Sequence, residues 1–234
     1  MKIVALIVAA GQGKRMNSKI GKPFIPIIGK PILFYTLKKF ENCELIDQIY
    51  LVINGSEKEY CLKNVILKYR FKKVQELILG GDTRQMSVFN GLNLIDSDAD
   101  IVVIHDGARP LVNEKIILES IKTSQKYGAV VAAIPSKDTI KEVENNFFIH
   151  TTLDREKIWR AQTPQTFKYK LILSAYKKAF KSGYFATDDA ALLEKSGYKV
   201  KMIKGSEENI KITSPFDIAI AEKYLMRGND LNSG

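Results

Sequence analysis

Five apolar runs of strand length recur along the chain: Ile3 to Ala9, Asp47 to Ile53, Val74 to Leu79, Asp100 to His105 and Ala129 to Ile134. Runs this apolar mark strands covered on both faces. Between them lie segments with helical spacing, at Pro31 to Phe40, Glu57 to Tyr69, Arg84 to Leu94 and Glu114 to Lys126. Pro31 suits the first turn of a helix, where its missing amide would be unpaired anyway. Regular alternation of strand and helix predicts an α/β fold: a Rossmann-like, mostly parallel (mixed) sheet with helices on both faces. Such sheets take ligands beyond the carboxyl ends of their strands.

The alternation breaks after Pro135. Residues 136–159 are polar and partly alternating, with Asn145-Asn146 as a turn, and read as a β-arm projecting from the sheet. Helical patterns resume at Lys170 to Lys181, Thr187 to Lys195 and Pro215 to Met226, and Tyr198 to Ile203 alternates like a more exposed strand. The tail from Gly228 onward is expected to fray. No linker, repeat or low-complexity tract interrupts the sequence, so one domain over 1–234 is expected, with the arm as an excursion.

No run of 18 apolar residues is present, and the N-terminus lacks the parts of a signal peptide, so no membrane association is expected. Cys43 and Cys61 match neither a zinc nor a redox spacing, and reduced thiols in a cytoplasmic protein fit them best. The 36 basic residues outnumber the 26 acidic ones, for a net charge of +10, which favours phosphorylated or otherwise acidic partners. The cations are dispersed along the chain, which argues against nucleic acid.

The first strand runs into Ala9-Ala10-Gly11-Gln12-Gly13-Lys14-Arg15-Met16. A dinucleotide fingerprint would need glycine where Met16 stands, and a P-loop would need a hydroxyl where Pro23 follows Lys22. Both templates fail. What remains is a glycine turn with free backbone amides, followed by Lys14, Arg15, Lys19 and Lys22. Amides of this kind can cradle phosphate oxygens, and the cations can neutralise charge in a phosphoryl transition state.

Further motifs stand in order downstream: Gly80-Gly81-Asp82-Thr83-Arg84-Gln85-Met86-Ser87-Val88, His105-Asp106-Gly107-Ala108-Arg109-Pro110, Lys137-Asp138-Thr139-Ile140-Lys141, Leu153 to Phe167, Thr187-Asp188-Asp189-Ala190 and Asn209-Ile210-Lys211-Ile212-Thr213. With the opening loop, this series resembles the 2-C-methyl-D-erythritol 4-phosphate cytidylyltransferase family over about residues 3 to 225. The resemblance implies transfer of CMP from CTP to a methylerythritol phosphate in non-mevalonate isoprenoid biosynthesis, with release of pyrophosphate. It places Ala9, Ala10, Gly11 and Gly13 against the triphosphate, with Arg15, Lys22 and Lys211 as catalytic cations. Gly81, Asp82 and Ser87 would surround the cytidine. Asp106, Gly107 and Arg109 would line the junction with the sugar phosphate, which Thr139, Arg155, Thr163, Thr187 and Lys211 would contact.

Mg²⁺ bound mainly through the CTP phosphates is implied, with Asp106 as its carboxylate, directly or through water. The family's arm reaches into a second subunit, which implies a homodimer with Arg155 acting in trans. Gly21 and Pro23 depart from the residues that usually flank this lysine. Ribitol-5-phosphate cytidylyltransferase, a relative with similar chemistry, is the alternative. Its motifs place HD-S-V-R-P where this chain has HDGARP.

Some of these residues have a plainer reading. His105 ends a buried strand and is expected to be structural. Thr187 serves equally well as a helix N-cap or as a substrate contact. Trp159 is expected to anchor the base of the arm by packing.

Overall fold

The computed structural model of the chain describes residues 1–11 and 21–230, the last three of them as backbone only. In chain order the elements are β1 (Ile3–Val8), β2 (Pro26–Ile27), β3 (Lys30–Pro31), α1 (Ile32–Asn42), β4 (Gln48–Ile53), α2 (Lys58–Cys61), β5 (Val74–Leu79), α3 (Arg84–Leu94) and β6 (Ile101–Asp106). Then follow α4 (Glu114–Tyr127), β7 (Ala129–Pro135), β8 (Lys141–Val143), β9 (Ile149–Thr152), β10 (Trp159–Lys168), α5 (Tyr169–Ser182), α6 (Asp189–Lys195), β11 (Lys201–Lys204) and α7 (Pro215–Asp230).

Seven strands form the main sheet in the order β11-β7-β10-β6-β1-β4-β5. β1 pairs in parallel with both β4 and β6, and β10 runs antiparallel between β6 and β7. The alternation within β1 shows why both faces need cover. Ile3, Ala5 and Ile7 pack with Leu33, Leu37 and Phe40 of α1 and Ile117 and Ile121 of α4. Val4 and Leu6 pack with Val88 and Leu92 of α3 and Ile172 and Tyr176 of α5 on the other side. Each such fully buried aliphatic side chain contributes about 1.5 to 3 kcal/mol, so the two layers fix the register of the central strands.

β10 is the element the sequence pattern does not announce. Pro164 and a run of polar residues argue against a central strand. The peptide bond Thr163–Pro164 is cis, and the pairing with β7 shifts register between Ala161 and Gln165, around that proline. The polar side chains are buried but satisfied. Gln162 donates to the Ser206 carbonyl, Gln165 accepts from the backbone of Asp189 and Ala190, and Thr166 donates to Ser120. Burial of a polar group costs little once its hydrogen bonds are replaced.

Smaller departures have local causes. Pro31 is the N-cap of α1, outside the first turn, because it still pairs with Pro26 across the β2–β3 hairpin. The 57–69 segment opens as a 3₁₀ turn (Gly55–Glu57) and widens to a π-type helix over Leu62–Leu67. α7 continues through Gly228 to Asp230, further than expected, while 231–234 lie outside the described residues.

β8 and β9 form a separate two-stranded hairpin, and every residue in both strands is exposed. Trp159, at its base, is also exposed at 39%, so it is not the buried anchor expected. It pairs through its backbone with Pro135 instead.

Candidate active site

A cleft of about 680 Å³ opens at the carboxyl ends of β1, β4, β5 and β6. The chain order of the parallel strands reverses at β1, since β4 and β5 lie to one side and β6 to the other. Neighbouring crossovers diverge at such a point and leave a crevice. Ala9, Ala10, Gly11, Lys22, Gly81, Asp82, Ser87, Asp106 and Lys211 all line it, as expected from the sequence. Gly13 and Arg15 lie outside the described residues.

Two tight turns form the wall. Gly80 follows β5, and its amide donates to the Ile53 carbonyl. A Cβ on Gly80 would stand 2.2 Å from the Ala10 Cβ, so only glycine lets the two turns meet. The Gly81 amide donates to the Ser87 hydroxyl at 3.1 Å, and Thr83 caps α3 by accepting from the Met86 amide. Ser87 thus ties the glycine turn to the first turns of α3. Lys22 reaches the cleft from a 3₁₀ turn, Lys22–Phe24, anchored by the buried Pro23 and Phe24. Pro23 sits early in that turn, where no backbone donor is needed.

The floor is electrostatic. Asp106 ends β6 with its side chain 9% exposed and meets Lys211 Nζ at 2.8 Å, Arg84 Nε at 3.2 Å and Arg109 Nε at 3.6 Å. Burial alone would raise its pKa, but Arg84, Lys211 and Arg109 outweigh burial and hold the carboxyl well below the usual range. Lys211 stands there because the Ile212 amide donates to the Ala108 carbonyl and the Ile212 side chain is fully buried. Arg109 donates to the Asn209 carbonyl, and Asn209 donates to the Thr163 carbonyl, so β10 braces the same segment. Among the described residues three cations surround this carboxylate and leave a positive floor suited to anions.

Other expected site residues stand elsewhere in this chain. Gly107 is buried behind the wall, donating to the Val8 carbonyl and accepting from Thr36. Thr163 is 4% exposed, with its hydroxyl accepting from the Asp106 amide and bonded to His105 Nδ1. Arg109 takes its place as a partner of Asp106 and does not line the cleft. Thr139 and Arg155 are exposed on the arm, where Arg155 donates to the Lys137 carbonyl. Thr187 is exposed and is not the cap of α6. Asp188 holds that role, accepting from the Ala191 amide.

Sequence reasoning missed Arg84, although the motif containing it was recognised. Its guanidinium lines the cleft and is gripped from behind by Asp189 at 2.8 and 2.9 Å. The available signal was position: a cation in the first turn of a helix opposes the helix dipole and implies a specific acidic partner.

His105 is fully buried between Thr163 and the Arg109 carbonyl, and burial pushes its pKa down to about 4. Nε2 must donate to that carbonyl, so Nδ1 accepts from the Thr163 hydroxyl and the ring is neutral. The unfolded chain would bind a proton near pH 6.5, which the folded ring refuses until about pH 4. Stability associated with this ring is therefore complete above about pH 6.5 and declines as pH falls toward 4, by about 1.4 kcal/mol per pH unit. Urea unfolding at pH 7, 6 and 5 should show that slope, and His105→Gln should flatten it. An unchanged slope in the variant would refute the assignment.

The likeness seen in the motifs extends to whole proteins. The family model for 2-C-methyl-D-erythritol 4-phosphate cytidylyltransferase matches residues 3–227. The cytidylyltransferase of that name from Caldanaerobacter subterraneus is 45% identical, over 97% of this chain and all of its own length. That from Clostridium acetobutylicum is 48% identical, over 96% and 98%. A crystal structure of 4-diphosphocytidyl-2C-methyl-D-erythritol synthase from Anaerococcus prevotii superposes with a TM-score of 0.86 at 36% identity, covering 96% of both chains. The corresponding enzyme structure from Francisella tularensis gives a TM-score of 0.81 at 32% identity, over 95% of this chain and 99% of that one. The strand-end cleft, its glycine turns and the Asp106–Lys211 pair thus sit in a chain that belongs to the 2-C-methyl-D-erythritol 4-phosphate cytidylyltransferase family.

Proposed function

We infer that the chain transfers CMP from CTP to 2-C-methyl-D-erythritol 4-phosphate, giving 4-diphosphocytidyl-2-C-methyl-D-erythritol and pyrophosphate. Within this structure the reading rests on one observation: an ionised carboxylate paired with a lysine at 2.8 Å, at the floor of a cleft walled by two glycine turns. A phosphate oxygen of the sugar phosphate attacks the α-phosphorus in line. The new P–O bond forms as the bond to pyrophosphate breaks. The attacking oxygen is already ionised at neutral pH, so the protein's task is positioning and charge neutralisation.

In this reading Ala9, Ala10, Gly11 and Gly13 lie along the triphosphate, and Arg15, Lys22 and Lys211 neutralise charge growing at the α-phosphorus. Gly81 and Asp82 read the cytosine edge, and Ser87 supports them. Arg109, Gly107 and Thr163 act from behind by holding Asp106 and the strand ends. Thr187 contacts the sugar phosphate, together with Thr139 and Arg155 from the arm.

Magnesium fits this donor set only as an ion carried by the nucleotide. Among the described residues no three His, Cys, Asp or Glu side chains converge to make a cage. Mg²⁺ accepts one or two carboxylates and fills its shell with phosphate and water. Asp106, whose oxygens already meet Lys211, Arg84 and Arg109, would hold it through water, and the ion would offset charge on the phosphates and the departing pyrophosphate.

The arm is proposed to dock on a second copy, giving a homodimer in which Arg155 serves the partner's site. Exposed Phe147 (90%), Phe148 (69%) and Ile149 (59%) at its tip support this, as an apolar patch that a partner would cover. Among the described residues no helix is long and apolar enough to cross a membrane, and a cytoplasmic location is proposed. Sedimentation equilibrium should give twice the chain mass for the wild type and a monomer for Phe147→Glu with Phe148→Glu. Equal masses would refute the arm's role.

The decisive assay is pyrophosphate release from CTP with methylerythritol phosphate or ribitol 5-phosphate as acceptor. Turnover with the first and not the second is expected; the reverse preference would overturn the acceptor assignment. Gly80→Ala should raise the KM for CTP by about tenfold, since overpacking costs roughly 1 to 3 kcal/mol and here displaces Ala10. Unchanged KM would mean the two turns separate freely.

A further inference from the structure

The charged groups at the cleft floor continue into the core as an alternating chain. Tyr176, 1% exposed, donates its hydroxyl to Asp189 Oδ1, and Asp189 is fully buried. Asp189 takes both terminal nitrogens of Arg84 at 2.9 and 2.8 Å, Arg84 Nε donates to Asp106 at 3.2 Å, and Asp106 meets Lys211 at 2.8 Å. Asp189 is itself fixed from two sides. Its amide donates to Gln165 of β10, and Gln165 donates in turn to Asp188. Gln85, next to Arg84, donates to the Tyr184 carbonyl and accepts from the Ala186 amide, so the first turn of α3 is bolted to the segment leading into α6.

We propose that Asp189 is a positioning residue for the transferase reaction, acting through Arg84 on Asp106 and hence on the Lys211 ammonium. This rests on the cytidylyltransferase reading of the cleft. Asp106 offers two oxygens to three cations. Asp189 relieves that competition by engaging both terminal nitrogens of Arg84, which leaves only Nε for Asp106. Arg84, 27% exposed at the cleft, is thereby neutralised from behind and kept from swinging out onto a phosphate. Without the Asp189 charge, Arg84 draws more heavily on Asp106 and loosens the carboxylate's hold on Lys211. Asp189 touches no substrate in this arrangement, because it lies fully buried behind Arg84. The same links join α3, which follows the nucleotide-side glycine turn, to the segment bearing Thr187.

The test is a double-mutant cycle on the full-length protein, read by pyrophosphate release. Asp189→Asn keeps the volume and the tyrosine's acceptor but removes the charge. It should lower kcat by about 10- to 100-fold, as expected when a buried charge loses its partner, and move the KM for CTP by less than about threefold. Combined with Arg84→Ala, it should cost no more than about twofold beyond Arg84→Ala alone, because the path to Asp106 is already cut. Tyr176→Phe, which removes one hydroxyl, should lower kcat in the same direction by about threefold and carries the cycle if Asp189→Asn does not fold. Losses that multiply, a kcat within twofold of wild type, or losses that vanish on cooling along with a lowered Tm would overturn the proposal and leave Asp189 a merely structural residue. Wild-type protein that releases no pyrophosphate from CTP would instead overturn the functional reading.

Discussion

Lys211→Ala should reduce turnover by about 100-fold or more while leaving the fold intact. The side chain is 38% exposed, so its removal strands little buried surface, and its backbone is held independently through Ile212 and Ala108. Its ammonium lies 2.8 Å from Asp106 and lines the cleft, where the proposed reaction would bring the nucleotide and the sugar phosphate together. Both ligands are anionic, and in-line attack concentrates further charge on the oxygens around the α-phosphorus. Removing one preorganised donor at such a point costs about 3 kcal/mol, or about 100-fold in rate. Lys211→Arg should not restore activity, because a planar fork that seeks two acceptors cannot replace a compact point charge beside a single carboxylate. Steady-state pyrophosphate release at saturating CTP and acceptor is the measurement, with near-ultraviolet circular dichroism as the check on folding. Turnover within threefold of wild type would remove Lys211 from the catalytic set.

The parallel half of the fold was legible because strands buried on both faces have nowhere to place polar residues. β1, β4, β6 and β7 read as apolar runs for that reason, whereas β5, at the sheet edge, leaves Gln75, Glu76 and Leu79 exposed and is covered only in part. β10 was not legible. Its Gln162, Thr163, Gln165 and Thr166 are paid for by partners on distant elements, and no local pattern announces a partner dozens of residues away. The same asymmetry governs the site. Glycine turns and cations adjoining a strand end can be recognised locally, and Ala9, Ala10, Gly11, Gly81, Asp82, Ser87, Asp106, Lys22 and Lys211 converge as expected. Arg84 escaped notice because its meaning lies in Asp189, 105 positions away. The motif places Thr163 against the substrate, yet its hydroxyl is engaged by the Asp106 amide and His105. A threonine in a motif does not disclose which way its hydroxyl faces. Thr187 and Asp188 are both competent caps, and only the path into α6 selects Asp188.

Asp106→Ala should lower both turnover and stability, and the stability loss can be bounded from the partners left behind. Breaking a buried ion pair by deleting one member costs about 3 to 5 kcal/mol, because the remaining charge is buried without compensation. Here the three stranded cations differ. Arg84 retains Asp189 on its other nitrogens, and Lys211, at 38% exposure, can turn to water. Arg109 is the liability: its side chain is 12% accessible and, among the described residues, keeps only the Asn209 carbonyl. The expected loss is therefore near the low end, about 3 kcal/mol, with Arg109 responsible for most of it. Asp106 has a depressed pKa in the fold, so its contribution is complete above the ordinary carboxylate range near pH 4 and is lost only as pH falls toward its much lower folded value. Urea unfolding at pH 7 thus reads the whole effect. Adding Arg109→Met to Asp106→Ala should recover most of the stability and none of the activity, because it removes the stranded charge without restoring the carboxylate that positions Lys211. A double variant no more stable than Asp106→Ala alone would show that the cost lies with Arg84 or Lys211 instead.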